Sequence, residues 1–588
     1  MRVRLLCLSV AAALAAVATA AGPESRPAAA TFVPGAEICG SSRGMLPSRS
    51  GTQPFTAETI PAAPPLHLDA PPPAFSGIGT PTMPVTTTSS DAQFYFNQGL
   101  RLAFAFNHAE ARRAFRYAQR LDPECAMCWW GEAFVLGPNI NAPMSPEAVP
   151  AARTAVRRAQ SLSDSLTPRE RALIDALAER YADDATTERK VLDQAWARAM
   201  EAVANRYPTD DNLQALYAEA VMNVSPWDYW ERDGRTAKGR MAAAVAALER
   251  VLERNPGHTG AIHFYIHAVE ASATPERALP YAQRLGALAP GAGHLVHMPS
   301  HIYFRLGMYR EALHANVDAV AADERYFRQS SSDVFYRNGY YPHNLHFLMA
   351  SAQMGGDGAL ALAAADKLDH VIDPAAVRAA AALQPIKAAP YLTHAQFATP
   401  REVLSLREPD DEFALVKAMW HYARAVARAA RGEIVASEEE IDRIIAIEQA
   451  GDLADIEASG VPARDMLRIA RLVAQARLAD ARGELPEAAR FYREAVAIQD
   501  SLPYMEPPYW YYPVRQSLGA VLLRMGDAPG AALAFEETLA RVPNNGWALY
   551  GLQQTYRQLE NLERLAGVTR RLEEAWFAEL EELDLKRL

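Results

Sequence analysis

Two pairs of histidines with the same internal spacing recur 34 residues apart in this chain. His263 and His267 are four residues apart in HFYIH, and His297 and His301 are four residues apart in HMPSH. The prolines that end the preceding helical patterns are separated by the same interval. A chain of 588 residues is too long for one hydrophobic core, so it must fold by repetition of a smaller unit.

A period of 34 residues is typical of the tetratricopeptide repeat (TPR), a helical hairpin that stacks on its neighbours to form a solenoid. The first repeat shows the expected pattern of small, aromatic and terminal residues, with Gly99, Phe115 and Pro123 at matching positions. Half of the residues are apolar and 22% are charged, which suits a helical, water-exposed chain. The sequence predicts an all-α, TPR-type helical-repeat solenoid with a disordered N-terminal leader.

The chain divides into a targeting segment, a leader and two repeat arrays. The predicted divisions are a signal peptide at 1–20, a Pro/Ala/Ser/Thr-rich disordered leader at 21–90, an N-terminal TPR array at 91–370, a helical connection at 371–412, and a C-terminal TPR array with a capping helix at 413–588.

The first twenty residues have the pattern of a secretory signal. Arg2 and Arg4 precede an apolar run, and Ala18-Thr19-Ala20 supplies small residues for cleavage. The run is too short to span a membrane, and no later stretch is long and apolar enough to do so. We therefore expect an exported protein, periplasmic or secreted, without a membrane span.

Two aromatic insertions, at 223–240 and 325–341, interrupt the N-terminal array. Loops inserted into repeats often gather on one face and carry function, although their aromatic residues can equally anchor the loops themselves. The candidate wall residues of the groove are Glu219, Trp227, Asp228, Trp230, Tyr336 and Tyr340.

Three consecutive repeats carry histidine at one common position of the first helix. Aligning MYREAL with DGALAL, 49 residues later, extends the register across the second insertion. The common position is held by His263, His297 and His346, the position four residues later by His267 and His301, and the position three residues earlier by His294 and His343. Residues with these spacings share one face of a helix.

This face is predicted to line the concave groove of the solenoid. First helices of neighbouring repeats pack roughly 8–10 Å apart, so imidazoles from different repeats can meet. Glu270 lies on the same face as His267, and Glu219 takes an equivalent position one repeat earlier. Pro299 is incompatible with an unbroken helix, so that helix either starts late, near Met298, or kinks there.

A transition metal is the first hypothesis for the ligand of this groove. Neutral imidazole is the commonest metal ligand, and Glu270 could bind the ion or orient a histidine that does. Nitrogen-rich ligation suits zinc, copper, nickel or iron, and the sequence does not choose among them. The HExxH pattern of zinc proteases is missing, because Phe264 and Met298 follow the first histidines. Whether such a site is also catalytic stays open.

The main alternative is an interaction scaffold whose groove binds a peptide or protein partner without metal. A purely structural role for the histidines is the third reading. Nucleic acid is an unsuitable partner, since the formal net charge is −11 and no basic cluster is present.

Three cysteines remain after the predicted cleavage, which excludes a full disulfide framework. Cys125 and Cys128 have CxxC spacing, and an oxidising compartment could join them. A second CxxC that would complete a zinc site is missing, so a local disulfide or two packed thiols is the preferred interpretation.

The chain resembles a group of exported bacterial TPR proteins. The matching segments are CAMCWWGEAFVLGPNINAPM, SPWDYW, HFYIHAVEAS, PGAGHLVHMPSHIYFRLG, HNLHF, EPPYWYYPVRQSLGAVLL and NNGWALYGL. They cover roughly residues 92–555, and HMPSHI is the most specific of them. The resemblance implies a TPR solenoid. It assigns no activity and no catalytic residue.

Overall fold

The computed structural model describes residues 67–162, 166–182, 187–330, 334–578, 580 and 583–588. Within these residues, helices follow one another through short turns and pack against the helices before and after them. The prediction of an all-α, TPR-type solenoid is confirmed. The predicted signal peptide and residues 21–66 of the predicted leader lie outside the described residues.

The N-terminal array begins at Ser90 and ends at Val371. Its helices are α1 (Ser90–Phe104), α2 (His108–Leu121), α3 (Ala126–Leu136), α4 (Val149–Ser161), α5 (Pro168–Ala178), α6 (Arg189–Arg206), α7 (Asp211–Met222), α8 (Met241–Arg254), α9 (Thr259–Val269), α10 (Leu279–Leu288), α11 (Gly293–His297), α12 (Pro299–Arg305), α13 (Tyr309–Gln329), α14 (Tyr341–Gly355) and α15 (Gly358–Val371).

The rest of the chain continues the stack. Its helices are α16 (Pro374–Ala379), α17 (Gln384–Phe397), α18 (Pro400–Ser405), α19 (Ala414–Ala430), α20 (Ile434–Ala450), α21 (Ala454–Ala458), α22 (Ala463–Ala481), α23 (Leu485–Gln499), α24 (Val514–Arg524), α25 (Ala528–Arg541), α26 (Gly546–Gln558) and α27 (Leu562–Ala575). Within the predicted connection, α17 packs between α15 and α19 and so acts as a repeat helix.

Close helix packing in the first repeats depends on glycine. The Phe115 ring of α2 lies against Gly99 of α1 and Gly131 of α3, where added Cβ atoms would be 2.7 and 2.4 Å from ring atoms. Buried interiors of this density have no room for an extra methyl group unless a neighbour moves. The small residues of the repeat pattern are therefore sites of helix contact.

Replacing Gly131 with alanine is expected to destabilise the protein, because the new methyl group overlaps the Phe115 ring. Overpacking of this kind costs about 1–3 kcal/mol in the free energy of unfolding, measurable by urea denaturation. Gly567→Ala in α27 is the matched control, since its Cβ meets nothing within 4 Å. The control should gain about 0.5–1 kcal/mol from helix propensity. Equal stability of both variants would contradict the packing argument.

The end of the predicted leader, residues 67–89, differs from the expectation of disorder. This extended segment packs along α1 and α2, where Arg113 donates to the carbonyls of Ala70 and Pro71 and Gln98 bonds to Phe75 and Pro73. Its prolines prevent helix formation and leave carbonyls without internal partners. Buried side chains of the repeat satisfy those carbonyls instead.

The two insertions fold differently. Residues 223–240 form the expected loop, which carries an isolated β-bridge between Trp230 and Ala237. The insertion 325–341, in contrast, is largely helical: α13 continues to Gln329, and a π-helical turn over Tyr336–Tyr340 runs directly into α14. The buried Tyr326 and Phe327 explain the longer helix, because they extend its apolar face.

Of the two arrangements left open around Pro299, the structure excludes the late start: the helix begins before Pro299 and is interrupted there. Helix α11 begins at Gly293 and ends at His297, Met298 keeps helical dihedrals, and Pro299 is the first residue of α12. A proline is tolerated there because that position needs no backbone donor. The interruption of the helix therefore lies between His297 and His301.

The solenoid turns tightly enough for distant repeats to touch. Gly260 at the start of α9 packs on Phe104 of α1. Near the C-terminus, the Trp547 indole of α26 donates to the carbonyl of Gln353 in α14, and the amide of Phe577 donates to the carbonyl of Gly355. These contacts enclose the concave side. No helix in the described part of the chain has the length and apolarity needed to cross a bilayer.

Candidate metal centre

Helices α9, α11, α12 and α14 bring six of the seven predicted histidines into two adjoining groups. The first group, triad A, consists of His263, His267 and His294; the second, triad B, consists of His297, His301 and His343. In each triad, one ligand atom per residue lies within 4.8 Å of the other two.

The imidazoles of each triad face one another through their Nε2 atoms. In triad A, the Nε2 atoms of His263 and His294 are 3.1 Å apart. In triad B, Nε2 of His301 lies 2.9 Å from that of His297 and 3.5 Å from that of His343. A metal ion with nitrogen ligands at about 2.0–2.1 Å could bridge such pairs at N–metal–N angles of roughly 90–120°.

The opposite ring nitrogens of two of these residues are held by acceptors. His263 Nδ1 lies 2.6 Å from the carbonyl oxygen of Phe104, which can only accept a hydrogen bond. His297 Nδ1 lies 2.6 Å from Oδ1 of Asn316, whose amide nitrogen donates to the carbonyl of Ala312. Both Nδ1 atoms therefore carry the proton, and both Nε2 atoms present lone pairs.

Glu270 connects the two triads. Its Oε1 accepts from Nδ1 of His267 at 2.8 Å, and its Oε2 makes a close ionic contact with Nδ1 of His301 at 2.5 Å. Burial by itself would raise the pKa of Glu270, but His301 and His267 together lower this pKa to about 2. A permanently charged carboxylate thus orients one histidine of each triad, the arrangement by which metal sites position imidazoles.

Burial keeps most of the cluster neutral. It lowers the pKa values of His263, His294, His297 and His343 well below 6.5, and neighbouring imidazoles lower them further. In His301, burial opposes the charged form but Glu270 outweighs it and raises the pKa. Neutral imidazole is the form that binds a metal ion.

His346, the seventh histidine, belongs to neither triad. Its Nε2 bonds to the hydroxyl of Tyr511, and burial lowers its pKa to about 3. The register placed His346 at the same position as His263 and His297, yet it is His343 that lies beside His297 and His301.

The predicted wall residues separate into two sets. Trp227 packs edge-on against His267 with ring centroids 5.1 Å apart, and Tyr340 lies 4.6 Å from His294, so both border the cluster. The other four make structural contacts. Trp230 donates to the carbonyl of Ala268, and Asp228 pairs with Lys238. Tyr336 donates to Asp323, and Glu219 lies 3.6 Å from Arg180. Of these four, Tyr336 also hydrogen-bonds to the backbone of His294, so it reaches triad A through the main chain.

Beside the triads lies a cavity of about 450 Å³. His267, His294, His301 and His343 form part of its wall, and the segments 138–144, 223–227, 335–346, 382–386 and 503–511 supply most of the remainder. The sequence predicted no site role for segment 503–511, for Asn316 or for Phe106. The centroid of the Phe106 ring lies 4.4 Å from that of His263. The EPPYWYYP stretch was visible only as part of the resemblance.

The cysteine pair lies apart from this cavity. Cys125 and Cys128 form a disulfide at the start of α3, and Cys125 Sγ accepts a hydrogen bond from the amide of Cys128. Neither residue lines the cavity.

The carboxylate of Asp323 packs against Gly293 in the first turn of α11. Burial raises its pKa to about 7, although Tyr336 and Asn344 each donate a hydrogen bond to it at 2.7 Å. Gly293 leaves the space that this carboxylate fills, since a Cβ there would be 1.9 Å from Oδ1.

The pKa of Asp323 is higher in the folded protein than its value near 4 in the unfolded chain. Between pH 4 and pH 7 the folded protein therefore binds more protons than the unfolded chain. The free energy of unfolding consequently falls as the pH rises from 4 to 7. Asp323→Asn should remove this dependence. Relative to wild type, the variant should gain about 2 kcal/mol in free energy of unfolding between pH 5 and 7. Urea denaturation at both pH values tests this, and parallel pH profiles would contradict it.

The chain is similar to solved structures only at low sequence identity and low TM-score. No family model and no curated protein matches the chain. Similar solved structures include the human IFIT1 dimer with m7Gppp-AAAA (12% identity, 83% of this chain and 91% of that chain, TM-score 0.31) and yeast Tom70 (12% identity, 84% and 94%, TM-score 0.26). The TPR domain of P58(IPK) is also similar (12% identity, 80% and 99%, TM-score 0.21). Likeness at this level carries no inference about function.

Proposed function

We propose that this protein is an exported TPR-repeat protein that binds a transition-metal ion in its groove, at triads A and B. The observation that carries the proposal is the shared orientation of the imidazoles. Acceptors fix the Nδ1 atoms of His263, His267 and His297, so each triad contains an unprotonated Nε2 atom, and that of His267 is buried without a hydrogen-bond partner among the described residues. A buried ring nitrogen without a partner is costly, and a bound cation would satisfy it.

The donor set determines the class of metal. Six imidazoles with no carboxylate ligand suit zinc, copper, nickel or iron, whereas calcium and magnesium require oxygen ligands. Three protein ligands leave a coordination position open, which is the composition of catalytic rather than purely structural zinc sites. A metal bound here could therefore activate water or polarise a substrate oxygen.

Elemental analysis of protein exported without a histidine tag tests the proposal. We expect stoichiometric metal in wild type. His263→Ala should lose the metal bound at triad A, and His301→Ala should lose the metal bound at triad B. His421→Ala is the matched control, because His421 also bonds through Nδ1 to a glutamate, Glu440, but outside the cluster. Metal no higher than background in wild type would rule out the proposed function.

A peptide- or protein-binding scaffold is the competing function. An exposed groove lining would favour it, whereas every residue of triad A is at most 1% exposed. A metal-free protein that captures a partner through the same histidines would establish the scaffold instead. His297→Ala should abolish that capture if the groove is the binding surface.

Export is part of the proposal and rests on the signal pattern at 1–20. The disulfide between Cys125 and Cys128 supports it, because disulfides persist in oxidising compartments. Fusion of residues 1–30 to a reporter enzyme that is active only after export provides the test. Reporter activity equal to that of a leaderless fusion would contradict export.

A further inference from the structure

The cavity beside the triads has the size and lining of a small-molecule site. Its volume of about 450 Å³ falls within the range of about 300–1,000 Å³ found for ligand pockets. Apolar and aromatic side chains from five different segments form most of the wall, among them Ile140, Met144, Trp227, Phe335, Leu383 and Tyr509. An organic ligand would exchange water for these surfaces on binding.

Glu506 is a buried carboxyl group in this wall that the metal proposal leaves without a role. It is 7% exposed, and Tyr504 donates to its Oε1 at 2.7 Å. Its Oε2 is buried without a hydrogen-bond partner among the described residues. A buried carboxyl oxygen left unpaired is costly, which is why such atoms in native proteins usually have a partner.

We propose that this cavity binds a small, largely apolar organic molecule that carries a neutral hydroxyl group, and that the hydroxyl hydrogen-bonds to Oε2 of Glu506. The apolar body of the ligand lies against the aromatic wall. This contact does not depend on a bound metal, so the proposal goes beyond the metal site and can be tested separately from it.

The chemistry of the polar end selects a hydroxyl group over other head groups. A carboxylate would meet Glu506 as a like charge, and Arg305, the cation whose charge acts most strongly on Glu506, does not line the cavity. An ammonium group would face the histidine cluster, which binds a cation in the proposed function. A hydroxyl can donate to a carboxylate or accept from a carboxylic acid, so it fits either state of Glu506.

Fluorescence titration of the full chain with 2-naphthol and with naphthalene tests the proposal. The two probes share the apolar body and differ by one hydroxyl group. We expect 2-naphthol to bind at least about tenfold more tightly than naphthalene, because only naphthol pairs with the buried oxygen. Glu506→Met should reduce the affinity for 2-naphthol to that for naphthalene.

Cavity-filling variants establish where the probes bind. Gly339 lines the cavity, and a Cβ there would only touch Phe335 at 3.7 Å, so Gly339→Leu should fold and reduce the affinity for both probes by at least about tenfold. Ala382→Leu fills the same space from another segment in case the first variant misfolds. Gly567→Leu, whose site is far from any neighbour, should leave both affinities unchanged.

Equal affinities for the two probes in wild type, unchanged naphthol binding in Glu506→Met, or no binding in wild type would each overturn this proposal. Metal content measured on the same samples separates the two proposals. Naphthol selectivity in metal-free protein supports the cavity site and contradicts the metal site. Full metal occupancy without naphthol binding supports the metal site and contradicts the cavity site.

Discussion

Glu270→Gln is expected to weaken metal binding by about 10–100-fold while the protein stays folded. The carboxylate accepts from His267 through one oxygen and contacts His301 through the other. An amide can accept through its oxygen only, and its NH₂ group would face the N–H of the second imidazole. That ring must then rotate or move its proton to Nε2, which removes one ligand lone pair from a triad.

A competition titration against a chromogenic zinc chelator measures this change, with circular dichroism as the check on folding. Glu440→Gln is the matched control, since Glu440 accepts from His421 Nδ1 at 2.7 Å in the C-terminal array. The control should keep the wild-type zinc affinity. If Glu270→Gln also keeps it, the bridging role of Glu270 is wrong.

Arg180→Met is expected to give the largest loss of stability. The guanidinium is fully buried, lies 3.6 Å from Glu219, and donates to the carbonyls of Pro138 and Phe134. It also lies over the rings of Phe134 and Trp196. Without it, the buried Glu219 keeps the hydrogen bond from its neighbour Asn223 but loses its counter-charge. Removing one partner of a buried ion pair costs about 3–5 kcal/mol.

Urea denaturation measures the effect on Arg180→Met, and the double variant Arg180→Met/Glu219→Gln should recover part of the loss because it also removes the unpaired charge. Arg490→Met serves as a surface control, since Arg490 pairs with Glu487 and Glu494 on an exposed face of α23. The control should unfold like wild type. Additive losses in the double variant would show that Arg180 and Glu219 are not coupled.

Local periodicity explains why the histidine cluster was predictable. The spacings within and between HFYIH and HMPSH place side chains on equivalent faces of adjacent helices. Packing of neighbouring repeats then brings those faces together. His263, His267, His294, His297, His301 and His343 meet for that reason. Glu270 follows from the same register, one helical turn after His267.

The same register misplaced residues whose partners lie outside it. His346 holds the predicted position but bonds to Tyr511, which comes from the segment between α23 and α24. Glu219 also occupies a groove position, yet Arg180 from the end of α5 neutralises it. A one-repeat alignment contains no information about side chains that arrive from 39 or 165 residues away.

By itself, the sequence determined the repeating helical hairpins, the adjacency of the histidines and the fact that Pro299 disturbs its helix, because each depends on spacings within one or two repeats. The tertiary structure alone decided that 503–511 lines one cavity with His267, His294, His301 and His343, and that Glu506 lies in its wall. The physical reason is that superhelical curvature sums a small rotation at every repeat interface. Contacts between distant turns depend on that sum, which no single segment encodes.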